Sequence, residues 1–166
     1  MMILTALPED LVRYLLMEWL VLQDICCLDS ALCVRIDRVP FLRILQSPQV
    51  RLIAEPPSSN TDMTNWLQWI TVRRINLQEL CIRGIRLTPF VGILTETVSQ
   101  LATLQILVLE NASYIESAGG IGAAGAASLS QALLHVPNLQ TLNLAGNAIG
   151  AAGAASLSQA LLHVPN

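Results

Sequence analysis

Two histidines, four cysteines and a glycine-alanine run that occurs twice are the places in this chain where chemistry could be carried. His135 and His163 sit in identical "ALLHVPN" contexts 28 residues apart. If those contexts are neighbouring stacked helices, the imidazoles lie about 10 Å apart, several times the roughly 2.1 Å of a zinc–nitrogen bond. They cannot share a metal ion. The last fifty residues contain no Asp or Glu, so no nearby acid in sequence orients either ring for a Ser-His-acid arrangement. Cys26, Cys27, Cys33 and Cys81 show neither disulfide-scaffold nor zinc-ligand spacing, and read as reduced core thiols. "GAAGAAS" lacks the lysine and strand context of a phosphate loop. The expectation is a protein with no catalytic residue, no metal site and no cofactor, whose histidines are solvated helix positions.

Charge excludes further classes. All nine basic residues are Arg, the twelve acidic residues bring the net charge to -3, and every charged residue precedes Ser117. The longest basic cluster is Arg73-Arg74, which leaves no electrostatic footprint for nucleic acid or anionic lipid. Polar residues such as Gln131, Asn143 and Asn147 interrupt the uncharged half too often for a membrane span of about twenty apolar residues. "MMILTALPEDL" has no basic region ahead of its short apolar run, unlike a secretory signal. Neither a nucleic-acid nor a membrane partner is expected, and the cysteine usage suits a cytoplasmic or nuclear protein.

The elements that must position these residues come from repetition. "GAAGAASLSQALLHVPN" spans 122 to 138 and recurs letter for letter at 150 to 166. A fixed period of 28 is the mark of stacked units that bury their apolar faces against one another. "NLQTLNLAGN" supplies the strand, with Leu139, Leu142 and Leu144 entering one core and Asn147 at the bend, its amide placed to satisfy backbone groups. "IGAAGAASLSQALLHVP" supplies a helix over 149–165 ended by Pro165, whose apolar face is Ala154, Leu157, Ala160, Leu161 and Val164.

The pattern L-x-x-L-x-L-x-x-N-x-I-G-x-x-G-A-x-x-L-x-x-A-L from Leu139 to Leu161 resembles the ribonuclease-inhibitor-like class of leucine-rich repeat. That resemblance implies an α/β solenoid with parallel strands on a concave side and helices on a convex side. Weaker copies of the strand occur in "NLQELCI" (76–82) and "TLQILVL" (103–109). "TPFVGILTETVSQL" (88–101) reads as the helix between them, with Thr88 as N-cap and Pro89 at the first helical position. The spacing from Thr103 to Asn138 is seven residues longer than one period, and "ENASYIES" (110–117) is the natural loop for the excess. Asn111 then falls one position from the expected bend asparagine.

Residues 7–45 carry no such unit but are rich in leucine at helical spacing. Pro8 stands at a helix start with Glu9 and Asp10 in the first turn, followed by an apolar face of Leu11, Leu15, Leu16, Trp19 and Leu20. A second short helix begins near Gln23-Asp24 and carries Ile25, Leu28 and Leu32. Leu7-Pro8, Leu15-Leu16, Asp24-Ile25, Ser30 and Cys33 resemble the F-box pattern, although Ser30 and Cys33 are one residue too far apart and no tryptophan follows Cys33. By that resemblance Leu7, Pro8, Leu11, Leu15 and Ile25 dock the small adaptor subunit of a cullin-type ubiquitin ligase. The alternative is a helical cap on a generic leucine-rich-repeat interaction module, ribonuclease-inhibitor-like or innate-receptor-like.

The organisation expected is therefore a helical F-box-like segment over 1–46, a linker or capping strand over 47–62 and leucine-rich repeats over 63–166, the first helix being "MTNWLQWITVRR" (63–74). Strand residues alternate between faces, which puts Glu79, Cys81, Arg83, Ile106, Val108, Glu110, Thr141 and Asn143 on the concave side for a protein partner. The last unit repeats an interior one with no polar cap, so the chain is expected to belong to a longer array and to self-associate or fray at that end.

Overall fold

The computed structural model describes residues 29, 38–46, 53–54, 60–111 and 119–163. In chain order they form helix α1 (Arg38–Leu45), strand β1 (Ile53–Ala54), helix α2 (Asn60–Arg73), strand β2 (Glu79–Arg83), a 3-10 turn (Thr88–Phe90), helix α3 (Val91–Gln100), strand β3 (Ile106–Glu110), helix α4 (Gly122–Leu133), strand β4 (Thr141–Asn143) and helix α5 (Gly150–Leu161). The protein is α/β. Its strands form one parallel sheet in the order β1-β2-β3-β4. Parallel neighbours cannot be joined by a tight hairpin, and from α2 onward each connection is a helix that packs against the next.

Periodicity explains the layers. Met63, Trp66, Leu67 and Ile70 recur at helical spacing and are buried, so α2 turns one stripe to the core. Leu80 and Ile82 of β2, and Leu107 and Leu109 of β3, are likewise buried and join α2, α3 and α4 in one apolar cluster. The core is the slab between the sheet and the helices. Buried Thr97 of α3 is satisfied by Thr71 Oγ1 of α2 at 2.9 Å and the Ile93 carbonyl at 2.7 Å. Asp29 is also buried. It accepts from Trp69 Nε1 at 2.9 Å and pairs with Arg73 Nε at 3.0 Å, fixing it to α2.

The first residue of each "NLQ" or "TLQ" motif has a structural role that the sequence reading assigns to none of them. Thr103 Oγ1 donates to the Leu77 carbonyl at 3.0 Å, Asn138 Nδ2 to the Ala102 carbonyl at 2.8 Å, and Asn76 Nδ2 to the Gln46 carbonyl. Each unit thus enters its strand by bonding the unit before it. Asn147 does the same at the strand exit. Its Nδ2 faces the carbonyls of Leu109, Leu144 and Ala145, and its Oδ1 accepts from the Ile121 amide. Just ahead of it, Gly146 has φ +73 and lies against the Asn111 backbone, where a side chain would collide.

Several expectations need correction. Thr88 is not an N-cap: Leu87 holds that position without a side-chain bond, and Thr88 Oγ1 donates to the Gly120 carbonyl at 2.9 Å. The helix expected to start at Met63 starts at Asn60, because the polar run ahead of it is already helical. In α5 the buried stripe is Gly153, Leu157 and Ala160, whereas Ala154 and Leu161 are exposed. Leu142 and Leu144 are only partly buried, since β4 is an edge strand. Pro165 and Val164, the loop residues 112–118, and the F-box-like positions Leu7, Pro8, Leu11, Leu15 and Ile25 lie outside the described residues.

Candidate functional site

Register builds a compact patch on the sheet face opposite the core. Glu79, Ile106 and Thr141 form one row across β2, β3 and β4, Cys81, Val108 and Asn143 the next, and Arg83 with Glu110 a third. The eight residues expected on one surface therefore share that surface. Arg83 and Thr141 are exposed, and Glu79, Cys81, Ile106, Glu110 and Asn143 are partly exposed. Val108 is the exception, with 6% of its surface accessible. It occupies the centre of the patch, flanked by Cys81 on one strand and Asn143 on the other.

The patch has an electrostatic order. Arg83 Nε lies 3.5 Å from Glu110 Oε2, with 66% and 44% of the two side chains exposed. An ion pair that open to water contributes at most about 1 kcal/mol to stability, so its charges remain available to a partner. Cys81 Sγ donates to Glu79 Oε1 at 3.4 Å. Asn143 Oδ1 accepts from the Ala145 amide at 2.9 Å, which leaves its amide nitrogen directed elsewhere. From β2 to β4 the surface changes from charged, through apolar Ile106 and Val108, to neutral polar Thr141 and Asn143. The patch thus has partly exposed Ile106 and buried Val108 between charged and neutral polar positions.

On the helical side, two grooves follow the seams between helices. One, of about 260 Å³, is lined by Gln131, Leu134, Ser156, Gln159 and His163 among others. The other, of about 290 Å³, is lined by Thr95, Glu96, Ser99, Ser128, Gln131 and His135 among others. Here the fold adds something that sequence distance hides, because it brings Glu96 into the groove that His135 lines. The serines there are committed: Ser99 Oγ donates to the Glu96 carbonyl at 2.7 Å and Ser128 Oγ to the Ala124 carbonyl at 3.3 Å. His163 Nδ1 lies 3.0 Å from the Gln159 carbonyl. None of these contacts links a hydroxyl to an imidazole. Among the described residues, no three His, Cys, Asp or Glu side chains are grouped to hold a metal ion, and no helix is long and apolar enough to cross a membrane.

Compared with known proteins, the chain matches no family model, no curated protein and no solved structure.

Proposed function

We propose that this chain is a non-catalytic protein-binding adaptor, built as a leucine-rich-repeat solenoid of the ribonuclease-inhibitor-like class, with the β2–β3–β4 face as its recognition surface. The observation that carries this reading is the row Ile53, Glu79, Ile106 and Thr141, one residue from each strand in sequence order. Successive strands are separated by a helix from β1 onward, and such stacking of strand–helix units is how repeat arrays present a broad, rigid side for binding. The face so presented carries a charge pair, apolar Ile106 beside buried Val108, and neutral polar positions.

Within this reading the residues before α1 determine what the adaptor serves. The F-box-like positions Leu7, Pro8, Leu11, Leu15 and Ile25 dock the small adaptor subunit of a cullin-type ubiquitin ligase, and the sheet face selects the substrate. Co-expression of the full chain with that small subunit tests it. A stable one-to-one complex lost on Leu11→Asp or Ile25→Asp is expected. A folded chain that forms no complex would reduce the N-terminal segment to a helical cap and leave a generic interaction module.

A further inference from the structure

We propose that Thr88 is a phosphorylation site for a proline-directed serine/threonine kinase, and that the phosphate releases residues 119–120 from the turn that holds them. The inference goes beyond the partner reading and does not depend on it.

Thr88 is the one threonine of the chain that precedes a proline. Thr88 and Pro89 are exposed, as is Arg86 two residues earlier, while Leu87 and Phe90 are buried and hold the pair at the surface. Proline is what a kinase can read here. Having no backbone N–H, it enters an apolar pocket beside the phosphoacceptor without leaving a donor unpaired. Any other residue there brings an N–H that such a pocket must satisfy.

The hydroxyl to be modified already has a structural task. Thr88 Oγ1 donates to the Gly120 carbonyl at 2.9 Å. The amides of Leu87 and Thr88 donate to the Gly119 carbonyl at 2.8 and 3.4 Å, so both carbonyl oxygens face the turn. In the transfer, the γ-phosphorus of ATP bonds to Thr88 Oγ1 and parts from the β-phosphate oxygen. The hydroxyl proton passes to the base of the kinase, and ADP leaves. The donor is then gone, and a group of about −2 charge stands against a carbonyl oxygen. Attraction becomes repulsion.

Arg86 offers the phosphate another partner. Its side chain runs beside Gly119, where an added Cβ would stand 3.0 Å from Arg86 Cγ, and among the described residues it joins no ion pair. Bonds between ionised groups are about twice as strong as neutral ones, so the phosphate turns from Gly120 to Arg86. The effect reaches the following unit. Gly120 lies against the Asn147 backbone, and the amides of Ile121 and Gly122 donate to Asn147 Oδ1 at 3.3 Å and to its carbonyl at 2.9 Å. Loosening residues 119–120 therefore weakens what the next two amides hold.

The test incubates the full chain with ATP and a purified proline-directed kinase, locates phosphate by mass spectrometry, and follows hydrogen exchange of the modified chain. Phosphate is expected on Thr88, at a rate lower by about tenfold or more in Pro89→Ala. The amides of Ile121 and Gly122 should then exchange about tenfold or more faster. Thr88→Val removes the donor at an exposed position without adding charge and should speed the same amides by about two- to tenfold. An unmodified Thr88, with the kinase active on a Thr-Pro peptide, would overturn the site, as would an equal rate in Pro89→Ala. Unchanged exchange at Ile121 and Gly122 in the phosphorylated chain would overturn the release.

Discussion

Asn147 Nδ2 donates to the carbonyl of Leu109, 38 residues earlier in the chain. The same side chain accepts from the Ile121 amide at 3.3 Å, so a single buried amide joins β3, the start of α4 and its own turn. With two donor protons and one acceptor oxygen, it satisfies groups that otherwise lie buried without water. Asn147→Ala should cost about 2 to 4 kcal/mol, visible as a lower midpoint in urea with an unchanged slope. Serine at this position cannot span the same distance and should rescue less than half of the loss.

Core truncations should be graded by position along the sheet. Leu107 of β3 is wholly buried, whereas Leu142, its register partner on edge strand β4, is only partly so. Leu107→Ala should destabilise the fold by about 3 to 5 kcal/mol and Leu142→Ala by about 1 to 2 kcal/mol. His163→Ala, at an exposed position, should shift the melt by less than about 0.5 kcal/mol. Equal losses at Leu107 and Leu142 would contradict the edge assignment.

Two helical glycines should respond to alanine with opposite signs. Nothing lies within 4 Å of a Cβ built on Gly92, so Gly92→Ala should stabilise α3 by roughly 0.5 to 1 kcal/mol through helix propensity. Gly153→Ala instead meets the Ile149 side chain first, then Ala126 Cβ at 3.0 Å and Ala123 Cα at 3.2 Å. Backbone on the far side cannot yield cheaply, and α4 and α5 must separate. A net loss of about 1 to 3 kcal/mol is expected, measured by chemical denaturation of each variant.

Asp29 should behave as a buried anchor. Its side chain is 2% exposed and Arg73 is 32% exposed, so the ion pair is partly screened on one side only. Asp29→Ala leaves the Trp69 indole N–H and the Arg73 guanidinium without this carboxylate. The expected cost is about 2 to 3 kcal/mol, below that of a fully buried pair because Arg73 reaches water. A milder Asp29→Asn variant keeps one acceptor oxygen and should lose about half as much. Urea denaturation of the two variants measures the difference.

Strand alternation was legible in the sequence because its period is two and the leucines mark one side: Leu80, Ile82, Leu107 and Leu109 are buried as their spacing requires. Asn147 was legible because an amide at a strand exit has backbone groups to satisfy. The stripe of α5 was not. Helical periodicity shows which side of Ala154 and Leu161 is apolar, but whether a neighbour covers that side is a property of the assembly. Thr88 misled for a non-local reason, since its hydroxyl finds the Gly120 carbonyl across the fold in place of an amide of its own helix. The burial of Val108 was not legible either, since strand alternation puts it on the same side as half-buried Ile106. The pairing of Arg83 with Glu110 is also a matter of register, since their positions in sequence are 27 apart and only the parallel ladder sets them side by side.

The central claim, that the sheet face selects a protein partner, is tested most directly by comparing what the full chain retains from cell extract with what two variants retain. One is the charge exchange Arg83→Glu with Glu110→Arg, which keeps an ion pair and should alter stability by less than about 1 kcal/mol. The other is Gln131→Glu on the exposed helical side. Each retained protein is then re-measured with purified components. The account predicts at least one direct partner whose affinity falls by about tenfold or more with the charge exchange and is unchanged by Gln131→Glu. A partner bound equally well after the charge exchange and lost on the helical-side change would contradict it.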